Sequence, residues 1–285
     1  MPRAAEPRGI AWEPLTPHGV AMFARAAPGR LFVAQVIVAA LAAVTVMWFL
    51  REGWFPVIRT ALRALPPEGA IHAGRLEGPE VPPRQLAGNR FLGLALDLNH
   101  SGLLGQGAHL QVEFGRQDFR LIALLGYLPV DYPPGRSLPF NRTELVPRWG
   151  AWEPMILVIA GVGTVLALLV TWTLLATLYT IPVKLIVWLQ KRELGWRQSW
   201  RLGAAALLPG ALFLTFGIFA YTLGLLDLIR LAGIIVLHFL VGWVYLALSP
   251  LFLPRPAPAH GNPFQPDGGP EDPPGGGETP VPPSA

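Results

Sequence analysis

The 285-residue chain contains no cysteine. Disulfide frameworks, thiolate nucleophiles and cysteine-ligated metals are therefore excluded, and redox chemistry says nothing about the compartment. Charge is also scarce. Asp, Glu, Lys and Arg make up 14% of the residues, against about a quarter in an ordinary soluble domain.

Catalytic signatures are missing too. Ser101 and Ser137 lie in no GxSxG elbow, and Gly102 to Gly107 lacks the Gly-Lys-Ser/Thr ending of a phosphate loop. His72, His100 and His109, with Asp97 near the second, show neither HExxH nor paired close-spaced ligands. No metal or other cofactor is expected, and without paired acids or a nucleophile the chain reads as non-enzymatic. There is no internal repeat of the kind that builds inverted-repeat transporters.

What the chain does have is apolar length. Four nearly uncharged stretches run from Leu31 to Leu50, Pro154 to Val183, Leu202 to Leu226 and Leu231 to Pro254. A hydrocarbon core of about 30 Å is crossed by about 20 apolar helical residues, so each stretch suffices. The fold class expected is an α-helical membrane protein with four transmembrane helices, arranged one plus three around an extracytoplasmic α+β domain.

The divisions follow from composition. Residues 1–30 form a proline-rich cytoplasmic leader, with a short interfacial helix possible over Gly19 to Ala27. Residues 31–50 form the first span, 51–153 the exported domain and 154–182 the second span. A basic loop with an interfacial helix occupies 183–201, beginning where Pro182 should break the second span. Spans three and four cover 202–226 and 228–250, Pro209 kinking the third. The Pro/Gly-rich tail 254–285 is expected to be disordered, because its composition offers little apolar surface to bury. Ala40-Leu41-Ala42 has the look of a signal cleavage site, but the apolar run continues to Leu50, so the first span is read as uncleaved.

Orientation comes from basic residues. The segment Tyr179 to Gly203 holds Lys184, Lys191, Arg192, Arg197 and Arg201 against Glu193 alone. The positive-inside bias puts this segment and both termini in the cytoplasm. The net charge of +4 is dispersed around membrane flanks, so nucleic acid is not an expected partner; the lipid bilayer is. Tryptophans 48, 54, 149, 152, 188, 196 and 200 fall at the expected interfaces, whereas Trp172 sits mid-span and should pack.

Inside the exported segment, Trp54 to Leu65 carries Phe55, Ile58, Leu62 and Leu65 at helical spacing. Strands are expected near Ala70 to Leu76, Phe91 to Leu98, His109 to Phe114 and Phe119 to Leu125. Gly115 to Asp118 serves as a hairpin link between the last two, and Pro129 to Pro139 reads as loop. Among the spans, Asp227, Arg230 and His238 are the candidate polar residues, since ionisable groups inside membranes are costly and often functional. An Asp227–Arg230 pair at the interface and a packing role for His238 are the plainer expectations. Gly163/Ala167, Ala206/Gly210 and Ala220/Gly224 repeat at the four-residue spacing that lets helices approach.

The segments Gly69 to Leu76, Leu94 to Asn99 and Trp200 to Pro209, within the one-plus-three layout, resemble the DUF1189 family of bacterial membrane proteins. The likeness runs over about residues 31 to 250 and implies architecture without catalytic residues. It also implies a bacterial cytoplasmic (inner) membrane. The function expected is binding of a protein partner by the periplasmic domain, within an envelope or transport assembly. The alternative is a small transporter or channel component using His238, Asp227 and Arg230.

Overall fold

The computed structural model describes residues 13–254. Four of its helices are long and apolar enough to cross a membrane, and a small sheet domain lies between the first and second of these. The leader before residue 13 and the tail after Pro254 lie outside the described residues, so the disorder expected of the tail is not addressed.

A short helix α1 (Pro17–Phe23) starts where Thr16 Oγ1 accepts a hydrogen bond from the Gly19 N–H at 3.0 Å, a side-chain N-cap. Helix α2 (Pro28–Phe49) opens on a proline at its first turn, where the missing N–H costs nothing. It passes without a break through a π turn (Leu50–Trp54) into α3 (Phe55–Ala64). The first span and the expected amphipathic helix are thus one rod, Pro28–Ala64.

The sheet domain follows. Strands β1 (Ala70–His72) and β2 (Arg75–Glu77) form a hairpin whose corner residues, Ala73 and Gly74, both have positive φ (46° and 77°). This is the handedness that two-residue hairpin turns favour. β1 also pairs with β8 (Leu138–Pro139), giving the order β2-β1-β8. The larger sheet runs β3 (Arg84–Gly88), β4 (Leu92–Leu96), β5 (Leu110–Phe114), β6 (Asp118–Ala123) and β7 (Gly126–Asp131) in spatial order. Its pairings are antiparallel except β4 with β5, which run parallel. The alternation of Leu110, Val112 and Phe114 was legible, as was the β5–β6 hairpin. β3 and β7 were not expected. β7 contains Pro129, which made the segment read as loop.

Helix α4 (Arg142–Leu189) is capped by Asn141, whose Oδ1 accepts from the Glu144 N–H at 2.9 Å. It corrects two expectations. The helix that carries the second span starts twelve residues before Pro154, inside the segment assigned to the exported domain, and Pro182 does not end it. Val183 and Val187, just beyond Pro182, are buried in the bundle core. Their packing offsets the roughly 3 kcal/mol that an internal proline costs. The expected interfacial helix is therefore the end of α4, and the basic loop shrinks to residues 190–195. Trp196 and Arg201 already belong to α5 (Trp196–Thr222), which stops short of Leu226 at Gly224, φ 89°. Helix α6 (Leu228–Leu248) and a 3₁₀ turn (Ser249–Phe252) are the last elements among the described residues.

α5 is the hub of the bundle. Leu202, Ala204, Ala205, Ala206 and Leu208 are fully buried, and α2, α4 and α6 all pack along α5. Small residues make this possible. A Cβ built on Gly210 would lie 2.6 Å from the carbonyl oxygen of His238, and one on Gly203 would touch Tyr179 at 3.4 Å. The Ala206/Gly210 pair thus serves packing inside the bundle. Gly163 has open space beside it and plays no such part. Both described ends of the chain lie at the end of the bundle opposite the sheet domain, against α5 and the basic loop. There Arg201 donates to the Ala26 carbonyl at 3.0 Å and Arg192 to the Leu251 carbonyl at 3.1 Å.

Gly210→Ala should force α5 and α6 apart and cost about 2 kcal/mol, as overpacking does. A drop in the melting temperature of the detergent-solubilised protein, larger than for Gly163→Ala, is the expected result.

Candidate functional site

The sheet domain is fastened to the bundle by the β3–β4 turn, Asn89 to Phe91. Asn89 Oδ1 accepts from the N–H groups of Phe91 and Leu92 at 2.8 and 2.9 Å, an Asx-type turn. Its Nδ2 donates to the Gly53 carbonyl in the π turn at 2.6 Å. Phe91 then meets the rings of Phe49 and Tyr221 edge-on, with centroids 5.4 and 5.0 Å away. Gly53 leaves room for this, since a Cβ there would already be 3.2 Å from both Phe49 and Phe91.

Arg90 completes the clamp. Its guanidinium lies 4.4 Å over the Phe91 ring and donates to the Tyr221 carbonyl. That carbonyl belongs to the last turn of α5, where helix carbonyls carry partial negative charge; it also accepts from the Gly224 N–H at 3.1 Å. From β5's entry, His109 Nδ1 is hydrogen-bonded to the Tyr221 hydroxyl at 2.6 Å, its ring stacked at 5.6 Å. The domain therefore holds a fixed pose on α2 and α5.

A second polar knot ties the crossover from β4 to β5. Asp97 accepts from the Ser101 hydroxyl and N–H, both at 2.7 Å, and from the Asn99 N–H at 3.3 Å. Burial by itself would raise the Asp97 pKa, but these bonds and the neighbouring His100 hold it below the ordinary carboxylate value. His100, at φ 50°, reaches Glu113 with Nδ1 (2.6 Å) and Asp118 with Nε2 (2.9 Å). Each ring nitrogen thus faces a carboxylate, and the ring bridges β5 and β6. A Cβ on Gly115 would overlap the imidazole, so the hairpin link needs glycine there. Beside it Tyr132 donates to the Gly115 carbonyl at 3.0 Å, and burial first, then Asp118, pushes its hydroxyl pKa upward.

The larger sheet has two unlike edges. β3 is covered by α3. β7 has no neighbouring strand on its far side among the described residues. The two-residue turn Leu124-Leu125 makes Ala123 and Gly126 the closing pair, and Tyr132 N–H donates inward to the Gln117 carbonyl. By alternation Tyr127, Pro129 and Asp131 turn their backbone groups outward. Pro129 lacks the central N–H, which blunts the edge against strand addition. Side chains are what this edge offers instead. Leu125 is 100% exposed, Tyr127 62% and Leu128 60%, exposed apolar side chains on and beside the β6–β7 turn, Tyr127 and Leu128 on opposite faces of the strand.

The sequence candidates fall elsewhere. Asp227 is the N-cap of α6, accepting from the Arg230 N–H at 2.7 Å, and its carboxylate lies 3.5 Å from the Arg230 guanidinium. Both are exposed, a pair worth about 1 kcal/mol or less. His238 is half-buried, its Nδ1 on the Ile235 carbonyl. It borders a cavity of about 350 Å³ with Trp172, Thr171, Leu207 and Phe239. Arg230 and His238 are eight residues apart, about 12 Å along the helix, so the three residues do not form one cluster. His72 is exposed on β1, His100 is in the knot and His109 is in the clamp. No group of three potential metal ligands occurs among the described residues.

Asn89, Arg90 and Tyr221 were not singled out from the sequence. An Asn-Arg pair between two apolar runs is a turn signal, but nothing local reveals that the turn touches a helix about 130 residues away. No family model, curated protein or solved structure matches the chain.

Two outcomes test this geometry. Arg90→Ala should raise amide exchange at Phe91 and Leu92 about tenfold, equivalent to losing about 1.4 kcal/mol, while the β5–β6 hairpin stays protected. Asp97 has a lowered pKa in the folded state, so its contribution is present above the ordinary carboxylate value of about 3.9 and is lost as pH falls through the lowered one. Asp97→Ala should cost about 2 kcal/mol at neutral pH and give a shallower acid slope in melting temperature than the native protein.

Proposed function

We propose that this is a non-enzymatic binding protein of the bacterial inner membrane, whose sheet domain faces the periplasm and engages a protein partner in an envelope or transport assembly. The observation that carries the reading is the β6–β7 tip, with Leu125, Tyr127 and Leu128 exposed on a domain clamped in a fixed pose. Exposed apolar clusters on soluble surfaces mark interaction sites, and a fixed pose lowers the ordering cost of binding.

The orientation rests on charge. The end of the bundle opposite the sheet domain holds Lys184, Lys191, Arg192, Arg197 and Arg201, and cytoplasmic flanks favour lysine and arginine. Both termini then lie inside. The alternative, a small transporter or channel component, draws on the cavity beside His238. The separation of His238 from Asp227 and Arg230 weighs against it.

Because the native chain has no cysteine, single cysteines report cleanly. A cysteine at Leu125 should react with an impermeant maleimide added to intact cells, and one at Lys191 only after lysis; the reverse pattern overturns the orientation. A photo-crosslinker at Leu125 should capture one protein partner. Leu128→Asp should weaken that capture about tenfold or more, as burying a lone charge does. Equal capture by the native protein and the variant overturns the tip as the binding surface.

A further inference from the structure

A groove of about 410 Å³ runs up the sheet-domain end of α4, lined by Ile58, Leu62, Leu138, Leu145, Trp149 and Ile156. Its origin is in α3. That helix buries Phe55, Val57 and Ala61, packing on β3 and β4, and its second apolar row, Ile58 and Leu62, is left half-buried along the groove. Strand β8 forms the far wall through Leu138 and Pro139. Trp149 is held as a fixed side wall, its Nε1 donating to Glu153 at 2.9 Å and its ring edge-on to Phe55 at 5.3 Å.

The height of this groove decides its meaning, given that the four apolar helices span a bilayer. The apolar run of α2 ends at Leu50, before Arg51 and Glu52, which sets the edge of the hydrocarbon. Met47 lies against Gly161 of the antiparallel α4. The same edge therefore crosses α4 at about residue 158, three residues further along on a matched rise. Ile156 sits at that edge, while Trp149 and Leu145 stand about 13 and 20 Å beyond it. Headgroup zones are only about 5 to 8 Å thick on each side. The upper groove is thus an apolar trough above the bilayer surface, continuous at its foot with the exposed residues Met155 and Ile159 of α4.

Among the described residues, no segment near either end lies in it. Both described ends are fixed at the opposite end of the bundle, Leu253 by Arg192 and Ala26 by Arg201. At the rim, Arg148 is 58% exposed and pairs with the half-exposed Glu144 at 2.9 Å, an exchangeable pairing that an anionic headgroup can replace. We propose that this groove binds an acyl chain of a phospholipid lifted from the adjacent leaflet, with Arg148 meeting its phosphate. The occupant is taken up from the bilayer through the open foot at Ile156 and lies against Leu62, Leu138 and Leu145. This site is independent of the β6–β7 tip.

The test uses the full chain in nanodiscs containing phosphatidylglycerol with a photoactivatable diazirine at the end of one acyl chain. Cross-links are expected on residues 138–149 as well as on the membrane-level part of α4. Leu138→Trp, a replacement at a short edge strand, should lower labelling of that upper segment about tenfold through loss of chain contact. Labelling of the lower α4 should stay constant and serve as the folding control; Leu62→Trp provides a second filling variant. Arg148→Glu should reduce labelling by phosphatidylglycerol. Cross-links confined to the lower α4, or unchanged by either tryptophan, overturn the proposal. Labelling by a diazirine-bearing acylated peptide but not by phosphatidylglycerol overturns it too, in favour of a lipid-anchored protein.

Discussion

Close approach to α5 is the constraint on which the rest of the structure depends. Inside a bilayer apolar surface gains nothing by meeting other apolar surface rather than lipid, so helices associate through backbone proximity and fitted packing. The small residues from Gly203 to Ala206 and Gly210 supply that proximity toward α4 and α6. The same helix ends in Tyr221, whose carbonyl, ring and hydroxyl receive Arg90, Phe91 and His109. One helix therefore organises the bundle and also sets where the sheet domain stands.

That pose has functional consequences. A domain carried on a flexible tether would present its surfaces in any direction. Here α2 runs on as α3 without a break, and the Asn89–Phe91 turn is pinned to both α2 and α5. The covered β3 edge, the blunted β7 edge with its apolar tip, and the groove along α4 all acquire definite positions relative to the helices. The π turn at Leu50–Trp54 matters for the same reason: it exposes the Gly53 carbonyl that Asn89 binds, and such insertions often mark functional positions in helices.

Polar residues in the sheet domain serve construction before anything else. His100 holds Glu113 and Asp118 together, and Asp97 holds the crossover that makes β4 and β5 parallel. A parallel pair normally needs a long covered connection, and here the knot replaces the missing helix. Histidines that looked scattered in sequence are thus each explained by a distinct partner, apart from the exposed His72.

The four apolar helices, the amphipathic Phe55–Ala64 helix, the β5–β6 hairpin and the Asp227–Arg230 pair were legible because each depends on local periodicity, apolar length or short sequence spacing. The loss of β7 has a local cause as well: Pro129 argues against a strand unless the strand is an edge, and edge position is a property of the assembled sheet. Pro182 shows the same limit, since its neighbours Val183 and Val187 find a core that no local window reveals. By itself the sequence determined that the chain is built of membrane-length helices and a short sheet, because burial in lipid and alternation in strands are written residue by residue. Only the tertiary structure decided which surfaces remain open and where Arg90 and Tyr221 meet, because those depend on contacts between residues far apart in the chain.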